Sequence, residues 1–333
     1  MYFTGIPGKI GEMKIRIPNS AFLGNINGFF STLDLNNSDF LEITSHPEWV
    51  NIHPIVLCII GILGKSVPSD KIDCKPITAQ SGHYLKRMKL FEFIGINPEV
   101  KEIKEHEQAG RFIPLTQIKN SKDLDYFLKE LVPLLHFDKD PKHVKSIQHI
   151  FSELIRNVLE HSKATEGAVV CAQYFSKTNK ISIGVADMGI GLKKSLSVSY
   201  TVKDELEAIK LALTPGITGT TSKPGGSAQN AGFGLFLIKS IAYIGGNFFN
   251  IMSGDKMYKL LQKQKGSYKL NGNPFDDRHS VLSIPFWNGV AVGVDISLDK
   301  TTEFTSLLST IYKFYSAEVK GQKKARYKKP KFT

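Results

Sequence analysis

Cysteine is scarce in this 333-residue chain: Cys58, Cys74 and Cys171 are the only three, and none is spaced as CxxC. An odd, sparse set excludes a disulfide framework and fits reduced thiols in a cytoplasmic protein. Long apolar runs are missing as well. The longest, "IVLCIIGILG" at 55–64, lies between Pro54 and Lys65. It falls short of the roughly 20 apolar residues that a membrane helix needs, and reads as a buried helix. No early stretch has the order of a signal peptide, which together with the missing apolar runs predicts no membrane association. Acidic residues are the scarcer sign, 31 against 43 basic ones, for a formal charge of +12. Seven of those charges (Lys320, Lys323, Lys324, Arg326, Lys328, Lys329 and Lys331) sit in the final segment, so the body is only mildly basic. Such a tail can track nucleic-acid phosphates. Charge runs are more often solvated extensions, and that is the reading preferred here.

What is present is a globular composition, 41% apolar and 22% charged, in a chain long enough for about two domains. Residues 1–104 alternate strand-like and helix-like segments. "MKIRI", "DFLEIT" and "DKIDCKPI" read as strands; "AFLGNINGFFSTL", "PIVLCIIGILGKS" and "SGHYLKRMKLFEFIG" read as helices. Alternation of this kind predicts an α/β domain. "NIHPIVLCIIGILGK" followed by "HYLKRMKLFEFIGI" resembles the STAS-like domain that precedes ATPase domains in some bacterial proteins, which implies a regulatory or interaction module. Neither Ser20 nor Ser66 stands in a context that carries over the phosphosite of such domains. Gly64-Lys65-Ser66 ends like a phosphate-binding loop, but Ile59 occupies the place of its first glycine and a greasy helix precedes it. A chance match is the better reading.

The polar stretch "EIKEHEQAG" predicts a linker, and residues 105–299 a second domain. A helix is predicted over about 142–162, with Ile147, Ile150, Phe151, Leu154, Ile155 and Val158 as its buried stripe. Glu153, Asn157, Glu160 and His161 fall on another face. The apolar strand "KISIGVAD" then delivers Asp187 into "MGIG", a turn that needs its glycines. Lys194 stands where a dinucleotide fingerprint needs its third glycine, which argues against a Rossmann site. A Gly/Ser/Thr-rich stretch at 214–234 reads as a loop ending at Gly232 and Gly234, where an apolar helix opens with N–H groups free for phosphate. Strands "NFFNIMSG", "SVLSIPF" and "VAVGVDISL" complete a sheet, and a helix near 301–318 begins the last segment, 300–333.

These three motifs, in this order, resemble the GHKL (histidine kinase-like) ATPase superfamily over about residues 106–299, with the anti-sigma-factor kinases closest in pattern. The resemblance implies a Bergerat fold, a two-layer α/β sandwich with a mixed, largely antiparallel sheet. It implies ATP with Mg²⁺ as ligands, Asn157 holding the metal, and Asp187 accepting a hydrogen bond from the adenine amine. Gly189 and Gly191 would shape the pocket; Thr218, Gly232, Phe233, Gly234 and Leu235 would contact the nucleotide, and a lid from about Leu213 to Ala231 would close over it. Glu153, where histidine kinases usually carry Asn, would act as the base for an attacking water or serine hydroxyl. The expected function is an ATP-driven conformational switch with slow hydrolysis, acting on a protein partner or a second copy. A protein serine kinase and a non-hydrolysing nucleotide-binding module are the alternatives. No histidine has the context of a phosphoacceptor, which argues against a conventional sensor kinase, and no cluster has zinc spacing.

Overall fold

Side-chain alternation in "MKIRI" turns Met13, Ile15 and Ile17 inward along strand β1 (Glu12–Ile17). The computed structural model describes residues 12–35, 39–100, 112–135, 141–219, 221, 223–225, 232–262, 269–297 and 301–326. Where "AFLGNINGFFSTL" predicts a helix, the two-residue β2 (Ser20–Ala21) is followed by a single turn, α1 (Asn27–Phe30). Asn25 supplies the reason. Its Oδ1 accepts the Phe22 N–H at 2.7 Å and its amide donates to Ser20 Oγ at 2.9 Å, a local turn that competes with the helix.

β3 (Phe40–Ser45) lies between β1 and β5 (Ile72–Cys74) in a three-stranded parallel sheet, and the short β4 (Asn51–Ile52) pairs with β2. α2 (Pro54–Lys65) starts at His53, whose Nδ1 accepts the Ile55 N–H at 3.1 Å, with Pro54 in the first position. Every residue from Pro54 to Gly64 is buried, as expected for a helix apolar all round. The helix predicted over "SGHYLKRMKLFEFIG" is two, α3 (His83–Arg87) and α4 (Leu90–Ile94), because Lys89 takes a left-handed φ of 57° between them.

The larger unit runs β6 (Phe112–Ile118), α5 (Ser121–Leu135), α6 (Pro141–His161), β7 (Ala168–Phe175), β8 (Lys180–Ala186), α7 (Gly191–Leu196), α8 (Glu205–Ala212), α9 (Gly234–Ile244), β9 (Phe249–Leu260), β10 (His279–Ser297) and α10 (Thr301–Arg326). Its five strands are ordered β6-β7-β8-β10-β9, and every pairing among them is antiparallel. Among the described residues parallel pairing is confined to the smaller unit, and the fold is mixed α/β with both kinds of sheet. "SVLSIPF" and "VAVGVDISL" are not two strands. They form one, β10, whose pairing with β9 shifts register between Ser283 and Trp287 and again between Trp287 and Val290.

Alternation along β7 divides the interior. Ala168, Val170 and Ala172 face a core shared with α5, α6 and α9, while Val169 and Cys171 face a second core built around α2. Where residues 105–299 predict two layers, the sheet is therefore covered on both faces, and β7 and β8 read as nearly continuous apolar runs for that reason. α2 lies so close to β8 that a Cβ at Gly184 would come 2.4 Å from the Ile55 nitrogen. Polar ties join the two units elsewhere, from β9 to the segment around α1: Asn250 Nδ2 donates to the Leu23 carbonyl at 3.1 Å, and Lys259 Nζ to the Gly24 carbonyl at 3.1 Å and Asn27 Oδ1 at 2.6 Å. The predicted linker and the junction between residues 104 and 105 lie outside the described residues. Among those described, no helix is long and apolar enough to cross a membrane.

Candidate functional site

Asp187 stands where β8 ends, and its N–H continues the ladder to the Val290 carbonyl at 2.9 Å. Its buried carboxylate accepts the Gly189 N–H on Oδ1 at 2.6 Å and the Val290 N–H on Oδ2 at 3.1 Å. Burial pushes this carboxyl up from an ordinary 3.8 to about 7, and the two N–H donors pull it back only in part. Each oxygen keeps acceptor capacity for a further donor.

The carboxylate borders a cavity of about 100 Å³. Glu153 and Leu154 of α6 line it, so one helix turn gives a side chain to the pocket while Phe151, Leu154 and Ile155 anchor it in the core. Gly191 and Leu192 at the start of α7 line another side. Gly191 has φ of +73°, and Ser253 Oγ accepts the Leu192 N–H at 2.9 Å, which seats α7 on β9. Ile217, Thr218 and Gly219 come from the loop after α8, and Gly232, Phe233, Gly234 and Leu235 from the entry to α9. At Gly232, φ is +65° and a Cβ would lie 2.2 Å from the Ile217 carbonyl oxygen, so only glycine lets these two segments meet. The first bond given by the α9 entry runs from the Leu237 N–H to the Phe233 carbonyl at 2.8 Å; N–H groups earlier in the turn have no acceptor within the helix.

Eight of the ten residues singled out from sequence thus border one cavity. Gly189 is not in its lining. A Cβ there would lie 2.0 Å from the Ser162 carbonyl oxygen, and that carbonyl accepts the Ile190 N–H at 2.7 Å. Gly189 therefore fastens the turn after β8 to the end of α6. Asn157 belongs to α6, but its side chain lies outside the described residues, as do those of Glu160 and His161; of the proposed lid, 220, 222 and 226–231 lie outside them too. Among the described residues, no three His, Cys, Asp or Glu gather where a metal ion would sit.

Sequence reasoning missed the residues that pack behind Asp187, outside the cavity lining. Trp287 Nε1 donates to the Asp187 carbonyl at 3.1 Å, and Gly289, with φ of +103°, passes so close that a Cβ would lie 2.6 Å from Asp187 Oδ1. The dipeptide Asn288-Gly289 inside "FWNGVAV" was the available signal. It reads as a strand break, whereas it marks the bulge that brings Val290 onto the carboxylate. No protein-family model matches the chain, and a search of curated proteins finds no match to it.

Proposed function

We propose that the cavity binds ATP and that the protein is a nucleotide-driven switch of the GHKL type, hydrolysing ATP slowly and changing its contacts with a protein partner or a second copy. One observation carries this reading. A buried carboxylate with spare acceptor capacity, a helix-borne carboxylate and a glycine-flanked helix N-terminus, from three distant stretches of sequence, border the same cavity. Asp187 would accept the adenine amine, a donor suited to an acceptor that already takes two N–H bonds. The phosphates would lie against the free N–H groups at Gly234 and Leu235, where the α9 dipole favours negative charge. Glu153, only partly buried, would receive the proton of a water attacking the terminal phosphate. Mg²⁺, held by Asn157 and by phosphate oxygens, would supply neutralisation of phosphate charge. The smaller unit, STAS-like in pattern, would serve as the regulatory module, and its seat on the back of the sheet that ends in Asp187 supports that role.

Two variants on α6 test the reading. Glu153→Gln should keep ATP affinity and lose turnover by about 10²- to 10⁴-fold, the usual worth of a positioned base. Asn157→Ala should lose Mg²⁺-dependent binding as well. Both are compared by calorimetry and phosphate release in proteins with wild-type circular dichroism. Equal turnover in Glu153→Gln would remove the base; no ATP binding by wild type would sink the whole reading. Label transferred to a partner's serine would make the protein a kinase, and tight binding without turnover a non-hydrolysing module.

A further inference from the structure

The helix that follows the last strand reaches back to this pocket. Tyr312 of α10 stacks on Phe233, ring centroids 4.6 Å apart and planes 28° apart, and Tyr315 meets the same ring nearly edge-on at 4.7 Å. Phe233 is the residue between Gly232 and Gly234, so its ring sets the segment whose backbone borders the cavity. Tyr312 is 42% exposed. Burial and then the nearby Glu153 carboxylate hold its phenol above the usual range.

Two turns further on, the same helix meets the loop after α8. A Cβ at Gly216 or at Gly225 would come 2.7 Å from a Val319 methyl group, and Gln322 Nε2 donates to the Pro215 carbonyl at 3.0 Å. The loop is joined to the glycine segment in turn. The Gly216 N–H donates to the Gly232 carbonyl at 3.1 Å and the Gly225 N–H to the Gly216 carbonyl at 3.0 Å. Helix, loop and glycine segment thus form a closed set of contacts on one side of the cavity.

We propose that α10 is the positioning element of this pocket: Tyr312 and Tyr315 set Phe233 and the N–H groups beside it, while Val319 and Gln322 hold Pro215, Gly216 and Gly225 against them. Its consequence for ligand rests on the nucleotide reading above; the mechanical coupling does not. Because α10 touches both segments, its docking and ligand binding are linked, and loosening the helix lowers affinity without touching the reacting groups.

The test uses the full chain with Tyr312→Ala, Tyr312→Phe and Gln322→Ala, substitutions at part-exposed positions that leave the core intact. Without nucleotide, amide hydrogen exchange is expected to quicken over 213–225 in Gln322→Ala and over 232–236 in Tyr312→Ala, with Tyr312→Phe near wild type because it keeps the stacked ring. Unchanged exchange in both alanine variants overturns the proposal. With nucleotide, loss of the stacked ring should weaken ATP affinity about 2- to 10-fold, while kcat at saturation stays within about 2-fold and Tyr312→Phe restores affinity. Equal ATP affinity in wild type and Tyr312→Ala overturns the positioning role and leaves the nucleotide reading standing. If wild type binds no ATP, that reading falls, and the nucleotide-free exchange alone decides whether α10 positions the loop.

Discussion

At the scale of single residues the chemistry concentrates on Asp187. Replacing it by Asn exchanges a charged acceptor for a neutral amide, and a hydrogen bond to a charged group is worth about 1.5–3 kcal/mol. Asp187→Asn should therefore weaken ATP binding about 10- to 100-fold, measured by calorimetry on folded protein; unchanged affinity would take Asp187 out of the adenine site. The raised carboxyl also sets a pH dependence. A carboxyl held at about 7 in the fold against an ordinary 3.8 contributes stability that is fully present below the lower value and is lost as pH climbs through the higher one. An amine donor favours the ionised form, so affinity should rise between about pH 6 and about pH 8 and flatten above. Asp187→Asn should lack that rise, and a slope surviving in this variant would assign the titration elsewhere.

At the scale of elements the loop between α8 and α9 is the part expected to respond to ligand. Ile217, Thr218 and Gly219 already border the cavity, so a bound terminal phosphate would add contacts to them. ATP with Mg²⁺ should protect residues 214–231 from protease, and ADP should protect them less; timed digestion that proceeds identically with and without ATP would count against a closing lid. Elements differ in how far their sequence announces them. α6 was legible because its apolar spacing follows the helical period through Phe151, Leu154 and Ile155, which are buried as expected. The break at Lys89 was not, since nothing local in "LKRMKLFEF" demands a left-handed residue and packing on both sides imposes it. α10 was read as a helix of about 18 residues followed by a solvated tail. It runs on to Arg326 and takes four of the seven tail cations with it.

For the whole molecule the telling contact is that of α2 with the back of the larger sheet. Gly184 has backbone against it on the α2 side, with no flexible side chain to give way. Gly184→Ala should therefore cost about 1–3 kcal/mol of stability, the usual penalty of overpacking, read as a lower urea midpoint; an unchanged midpoint would mean that α2 is less tightly seated. Because both units share a core, they should unfold together. The two tryptophans divide between them, Trp49 in the smaller unit and the buried Trp287 beside Asp187. Variants keeping one tryptophan each should give coincident fluorescence transitions, and separated ones would show two independent domains.

Local order in the chain was enough to place α6, β8 and α9 and to single out Asp187, Glu153 and the glycines at 232 and 234. These depend on periodicity, turn chemistry and short-range spacing, which neighbouring residues dictate. Tertiary structure alone decided that these residues border one cavity, that Gly189 fastens the turn to Ser162, and that Gly289 and Trp287 pack against Asp187. It also decided that α2 covers the sheet and that α10 returns to Phe233. Each of those outcomes joins stretches tens to more than a hundred residues apart. Such contacts are selected by how two surfaces fill space together, and no window of sequence contains both surfaces.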